Sequence, residues 1–169
     1  MKLSIRPEPL DQEEVRTFLR MADERSLLLY PGNNRAGPDL ASLASPNMRF
    51  FVARSEGRAV GCGGFAIGPD GTAELKRIFV DPEARGQGVG RRIVEAIEEE
   101  ARHIGVRLMQ LETGVKSAEA ISLYGRLGYR QRGPFGNYEA DPLSVFMEKS
   151  LIGASNLPPS SVTAIRDTS

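Results

Sequence analysis

Three glycines and three arginines crowd one stretch of the chain, Arg85-Gly86-Gln87-Gly88-Val89-Gly90-Arg91-Arg92. The run before it, Ala73 to Val80, alternates like a strand and closes on Asp81-Pro82. The apolar residues after it, Val89, Ile93, Val94, Ile97 and Ile104, are spaced like one face of a helix. A strand, a glycine loop and a helix N-terminus together make an anion site. The N–H groups of the first turn have no intrahelical partner, and the helix dipole favours negative charge there. Glycine also lets a ligand approach the backbone without meeting a Cβ. Arg85, Arg91 and Arg92 add positive charge where a phosphate would sit. The same glycines also serve a plain strand-to-helix turn, so the loop by itself leaves both readings open.

The stretch is neither of the common nucleotide loops. A dinucleotide fingerprint needs its third glycine at position 91, which is Arg91. A mononucleotide loop ends in Gly-Lys-Ser/Thr, whereas Gly90 is followed by two arginines. A phosphorylated ligand of another shape fits better. The one cysteine, Cys62, sits in an apolar, glycine-rich strand and reads as a buried, inert thiol. The one histidine, His103, follows Arg102 in a last helical turn, where a cation suits the dipole. One histidine and one cysteine cannot assemble a metal cluster from the usual soft ligands, so no metal is expected.

One domain of ordinary size suffices to position these residues. The 169 residues carry 22 basic and 22 acidic side chains, so no bulk polycation argues for nucleic acid. A single cysteine excludes an internal disulfide and suits a reducing compartment. The N-terminus lacks an apolar leader core, and no run approaches the length of a membrane span. The expectation is a cytoplasmic protein that does not engage a membrane.

The chain reads as an α/β domain over 1–152 followed by a flexible tail over 153–169, rich in serine, threonine and proline. Leu3 to Arg6 is a strand stopped by Pro7. Asp11 caps a helix with an apolar stripe of Val15, Phe18, Leu19, Ala22 and Leu27. Tyr30 to Asn34 breaks that helix, and Gly37-Pro38-Asp39 opens a short second one reaching Ala44. Met48 to Arg54 and Ala59 to Ile67 form a hairpin. In its second strand, Gly61, Gly63 and Gly64 signal a bulge or a close approach of another element. A third strand, Ala73 to Val80, has mixed polarity on both faces. The helix from Gly88 ends at Gly105, with Glu98, Glu99 and Glu100 as a solvated face. Val106 to Leu111 is the next strand, parallel to its predecessor across the crossover. Ser117 and Glu119 start a helix carrying Ala120, Ile121, Tyr124 and Leu127. Tyr129 to Gln131 and Leu143 to Met147 complete the sheet, and the aromatic loop between them could wall a pocket. The order is β-α-α-β-β-β-α-β-α-β-β: a mixed, mostly antiparallel sheet with helices on both faces.

With these elements in order, the chain resembles the GNAT superfamily of N-acetyltransferases over most of residues 3 to 149. The superfamily's loop pattern, Arg/Gln-x-x-Gly-x-Gly/Ala, is met by Arg85 to Gly90 at every fixed position. The preceding strand, Glu74 to Val80 with Asp81-Pro82, matches as well. So do Ala120 to Tyr124 and Leu127-Gly128-Tyr129 after the loop. Leu111-Glu112-Thr113-Gly114 and the stretch from Gly133 to Met147 are similar to a bacterial subgroup often labelled indole-acetate acetyltransferase-like. Indole-acetate itself offers no amine.

The resemblance implies acetyl-coenzyme A as acyl donor and a primary amine on a small molecule or peptide as acceptor, with dimers common in the superfamily. Its pyrophosphate would lie on Arg85, Gly86, Gln87, Gly88, Val89, Gly90 and Arg91. Backbone groups of Ile78, Phe79 and Val80 would flank the pantetheine arm and supply an oxyanion donor. Ser117 stands where many relatives have asparagine and can still donate one hydrogen bond. Tyr124 would protonate the departing thiolate, and Glu74 would take the amine's proton, directly or through water. Each has a plainer reading: Tyr124 as a core tyrosine, Glu74 as a salt-bridge partner of Lys76 or Arg77. No histidine lies near Ser117 or Cys62 in sequence, so direct attack by the amine is favoured over a covalent acyl-enzyme. Asn33, Asn34 and Ala36 replace acidic and histidine residues of close relatives, which bears on acceptor choice. A non-catalytic acetyl-coenzyme A sensor, or a structural module that binds nothing, remains the alternative to an enzyme.

Overall fold

The computed structural model describes residues 2–32 and 40–153. The readings placed on Asn33, Asn34, Ala36, Gly37-Pro38-Asp39 and the tail beyond Gly153 lie outside the described residues. Among the described residues, seven strands form one sheet: β1 (Leu3–Pro7), β2 (Met48–Ser55), β3 (Arg58–Ile67), β4 (Thr72–Val80), β5 (Leu108–Gly114), β6 (Arg130–Arg132) and β7 (Ser144–Ser150). The helices are α1 (Glu13–Leu29), α2 (Leu40–Leu43), α3 (Val89–His103) and α4 (Ala118–Arg126). The element order is the one read from sequence. The spatial order is β1-β2-β3-β4-β5-β7-β6, so the last strand of the chain inserts between β5 and β6. Every pairing is antiparallel except β4 with β5, which α3 connects.

Each face of the sheet has its own core. Ile93, Val94, Ile97 and Ala101 of α3 are fully buried against Phe51, Ala53, Val60, Phe65, Met109 and Leu111, with Tyr124 of α4 in the same cluster. On the other face, Val15, Phe18 and Leu19 of α1 and Leu43 of α2 pack on Phe50, Val52, Cys62 and Phe79. In β2 the residues supply the faces that the two-residue period assigns to them, Phe51 and Ala53 to one core and Phe50 and Val52 to the other.

β4 breaks that period, which accounts for its mixed polarity. Ala73 and Leu75 face the α3 core, but beyond the break it is Ile78 and Val80 that pack there, and Phe79 faces α1. The phase changes at Arg77, a non-glycine residue with φ +57°. Opposite it the β3 register shifts between Cys62 and Gly64, so Gly63 faces the extra residue of a β-bulge. Gly61 and Gly63 both admit the close approach expected of them. A Cβ on Gly61 would lie 2.8 Å from the Phe79 carbonyl oxygen and 2.9 Å from Ile93 Cδ1, and one on Gly63 would collide with Ile78.

Several sequence-based details change. Asp11 does not cap α1: Gln12 occupies that position with no side-chain cap bond, and the Asp11 carboxylate pairs with Arg16 instead. Leu27, 58% exposed, lies off the apolar stripe, and Ile104, 40% exposed, follows the end of α3. The strand expected from Val106 starts at Leu108. The Val106 N–H is used at 2.9 Å on the Ala101 carbonyl, closing α3 over Gly105 at φ +94°. Glu98 is not on the solvated face; it is 3% exposed. Its carboxylate accepts hydrogen bonds from the Tyr129 hydroxyl at 2.7 Å and from Lys149 Nζ at 2.8 Å. A carboxylate can stay buried when it is paired and hydrogen-bonded in this way.

Candidate active site

The bulge and the parallel pair together open the sheet. β4 pairs with β5 only over Thr72↔Leu108, Ala73↔Met109 and Glu74↔Gln110. Beyond Glu74, β4 stays bonded to β3 as far as Val80, and β5 stays bonded to β7 as far as Gly114. The two strands diverge into a fork. A cavity of about 950 Å³ occupies it, walled by Leu75, Arg77, Ile78, Phe79 and Val80 of β4, by Leu111, Glu112 and Thr113 of β5, and by parts of α1 and α4. At the outer end of β4 its wall is the glycine loop, which enters through a short 3₁₀ turn at Pro82–Ala84 capped by the Asp81 carboxylate.

Most of the residues chosen from sequence meet at this cavity. Ile78, Phe79, Val80, Arg85, Gly86, Gly88, Val89, Gly90, Arg91, Ser117 and Tyr124 all line it, while Gln87 does not and points to solvent. Gly88 is the N-cap of α3 in the left-handed conformation (φ +78°), where a residue without a side chain leaves the first-turn N–H groups to a ligand. A Cβ there would meet nothing within 4 Å. Gly90 has another purpose: a Cβ would press on Leu123 at 3.3 Å and Val80 at 3.5 Å, where α4 and β4 converge. Arg91 lies 3.4 Å from Glu95, and Arg126 of α4 brings a further cation to the wall.

Tyr124 is 7% exposed, packed edge-on to Tyr129 at a centroid distance of 5.7 Å. Burial pushes its phenol above the ordinary range, so the hydroxyl keeps its proton at neutral pH. No described residue hydrogen-bonds that hydroxyl, yet no side-chain polar atom is sealed without a partner among the described residues. The hydroxyl therefore opens on the cavity its residue lines. Ser117 is the N-cap of α4 but makes no side-chain cap bond, which leaves its hydroxyl for other use.

Glu74 is placed differently. It lies at the last paired rung of the fork and is not part of the cavity wall. The Tyr138 hydroxyl donates to its carboxylate at 2.6 Å, and Lys76 Nζ lies 3.5 Å away, the salt bridge that sequence offered as its plainer role. The aromatic loop brings Tyr138 there by stacking Phe135 and Tyr138 on Phe146 of β7. Cys62 is fully buried and its thiol is pushed up to about 12 by burial, as an inert thiol should be. Among the described residues, no group of three or more His, Cys, Asp or Glu side chains could hold a metal ion.

Three groups escaped the sequence reading. Arg77, 8% exposed, pairs with Asp23 of α1 at 2.8 Å beneath the helix that roofs the fork. Tyr30, read only as a helix breaker, has its hydroxyl accepting the Lys116 N–H at 2.9 Å, and its ring fills the space a Cβ on Gly114 would need. Glu112 of β5 lines the cavity and accepts a 2.7 Å hydrogen bond from the Ser144 hydroxyl. An arginine between Leu75 and Phe79, at the alternate position of β4 where apolar residues stand on either side, was the one visible signal for Arg77. Nothing local marks Tyr30 or Glu112.

A model of the acetyltransferase (GNAT) family matches residues 12–129. The chain is 48% identical over 147 residues to a protein of Azospirillum brasilense named IAA acetyltransferase, covering 86% of this chain and 95% of that one. A crystal structure of a putative acyl-CoA N-acyltransferase from Klebsiella pneumoniae superposes with a TM-score of 0.79 at 35% identity, over 89% of this chain and 98% of that one. The PaiA N-acetyltransferase of Thermoplasma acidophilum, solved with coenzyme A, shares the fold at TM-score 0.68 and 18% identity, over 89% and 99% of the two chains.

Proposed function

The chain belongs to the acetyltransferase (GNAT) family, and on that premise we propose that it moves the acetyl group of acetyl-coenzyme A directly to a primary amine of a small molecule or peptide. The observation that carries this reading is one continuous cavity joining the Gly88 cradle, the β4 edge and the Tyr124 hydroxyl. The orphan N–H groups at the start of α3, with Arg85, Arg91 and Arg126 around them, suit a pyrophosphate. The unpaired β4 edge at Ile78, Phe79 and Val80 suits an extended, amide-bearing arm, as an added strand would. Ser117 offers a hydroxyl on the α4 side. Holding two reactants in one cleft supplies most of the acceleration such a transfer needs.

Acetyl-coenzyme A, when bound, supplies the activated acyl group; the chain's own residues handle protons. Tyr124, buried and protonated, donates to the sulfur as the thiolate leaves. Glu74 takes part only through an intervening water or hydroxyl, because Tyr138 and Lys76 hold its carboxylate behind the cavity wall. A cytoplasmic setting suits an enzyme drawing on acetyl-coenzyme A, and a homodimer is the oligomer we expect. Among the described residues, no helix is long and apolar enough to cross a membrane.

A coenzyme A release assay against a broad panel of amines, amino acids and aminated antibiotics, run beside an acetyl-coenzyme A titration, tests the proposal. Turnover on a primary amine supports it. Binding without turnover on any amine would return the chain to the sensor reading, and no binding to the structural one.

A further inference from the structure

Three arginines lie on α1, and their partners differ. Arg16 pairs with Asp11 and Glu13, and Arg20 with Glu24 at 3.9 Å. Arg25 makes no ion pair among the described residues, although it lines the cavity beside Ala22, Ser26 and Leu29. Helical spacing offers it no carboxylate, because Met21, Ala22, Leu28 and Leu29 stand one turn away on either side. It also precedes the last turn of α1, so it is not there to meet the free carbonyls at the helix end.

The flank on which Arg25 stands decides what it faces. α1 lies across the outer ends of the strands. Near its start, Glu14 accepts hydrogen bonds from the Ala59 N–H at 3.3 Å and from Arg54 at 3.1 Å, where β3 begins. Just past its end, the Tyr30 hydroxyl accepts the Lys116 N–H beyond β5. Ala59 lies past the level of Val80, since Val80 pairs with Gly61 and the Asp81 N–H bonds the Val60 carbonyl. Glu14 therefore marks the flank of the helix that faces the glycine-loop end of the fork. Asp23, half a turn off that line, reaches inward to Arg77. Arg25 follows Glu14 by about three full turns and shares its flank. α1 also covers the face of the sheet opposite α3. A ligand seated at the glycine loop would thus have the α3 N-terminus on one side and the Arg25 guanidinium on the other.

We propose that Arg25 is a cofactor-binding residue: from α1 it closes on the diphosphate of acetyl-coenzyme A that the Gly88 cradle holds from the α3 side. This rests on the acetyltransferase reading above. A diphosphate presents oxygens in several directions, so the N–H groups of one helical turn leave some of them facing outward. A guanidinium forks onto two such oxygens, with a geometry that an ammonium lacks. Glu14, Asp23 and Tyr30 tie α1 down near its start, along its length and at its end. Arg25 therefore meets the ligand from a fixed backbone, and only its side chain must become ordered.

Calorimetry with coenzyme A and 3′-dephospho-coenzyme A tests this without knowledge of the acceptor. The two ligands share the diphosphate and differ only in the 3′-phosphate. Arg25→Gln should weaken both by at least about tenfold, and Arg25→Glu should weaken both further. Arg25 is exposed, so the Tm of each ligand-free variant should match the wild type within about 2 °C. The gap between wild type and Arg25→Gln should narrow as ionic strength rises from about 0.01 M to about 1 M, because charge is then screened over a much shorter range. Unchanged coenzyme A affinity in Arg25→Gln would overturn the assignment and leave Arg25 to the acceptor or to solvent. So would a loss confined to coenzyme A, which would put Arg25 on the 3′-phosphate, or an Arg25→Glu protein that binds no worse than Arg25→Gln. Failure of the wild type to bind coenzyme A at all would instead remove the underlying acetyltransferase reading.

Discussion

Asp23 of α1 and Arg77 of β4 form an ion pair at 2.8 Å across the roof of the fork, and Arg77 is the residue whose positive φ makes the bulge. The strained backbone position is therefore tied to the helix above it. A residue held at φ +57° costs roughly 1–2 kcal/mol, which the surroundings must offset. Without the bulge, Ile78 and Val80 would not face the α3 core, and the β4 edge would present other groups to the cavity.

Asp23→Ala should accordingly lower stability by about 1–3 kcal/mol, since it leaves a largely buried guanidinium short of a partner. That corresponds to a Tm drop of roughly 3–10 °C for a chain of this size. Acetyl-coenzyme A affinity should fall with it. Thermal denaturation and titration calorimetry on one preparation check both; an unchanged affinity would mean the bulge holds without the pair.

Gly88→Ala tests the cradle. The added Cβ meets no protein atom, but φ +78° is unfavourable for alanine by roughly 1–2 kcal/mol, and the methyl would project where the pyrophosphate is proposed to lie. Acetyl-coenzyme A affinity should fall at least about tenfold in a folded protein. Equal affinity by calorimetry would place the phosphates elsewhere.

Tyr124→Phe keeps the ring against Tyr129 and removes only the hydroxyl. A group acting only as charge develops on sulfur affects kcat and not ground-state binding. The expected loss in kcat is roughly 10- to 1000-fold, with acetyl-coenzyme A affinity within about threefold. A merely structural tyrosine would give normal single-turnover rates in the folded mutant.

Cys62 gives stability a pH dependence at the alkaline end. Its folded-state thiol is raised to about 12 from an ordinary value of 9.0. Its contribution is thus fully present below pH 9 and is lost as pH rises from 9 towards 12, where only the unfolded thiol ionises freely. Cys62→Ala should flatten that part of the curve of Tm against pH. In the wild type at pH 8, a thiol reagent should react only as fast as the chain opens; rapid labelling of the folded protein would contradict the burial.

Local chemistry alone determined the element order, the glycine loop, the C-terminal stop at Gly105 and the inert environment of Cys62. These depend on hydrophobic period, on turn residues and on backbone freedom, all of which lie within a few neighbours in sequence. Even the bulge left a trace, in the mixed polarity of β4 and the glycines facing it. Tertiary structure decided what depends on distant partners. Glu98 looks solvated beside Glu99 and Glu100, and only Tyr129 and Lys149, arriving 31 and 51 residues later, make its burial tolerable. Glu74 and Glu112 are equivalent as carboxylates on strands. Which of them faces the cavity follows from where β4 and β5 stop pairing and from where Tyr138 lands, and no run of neighbouring residues encodes either.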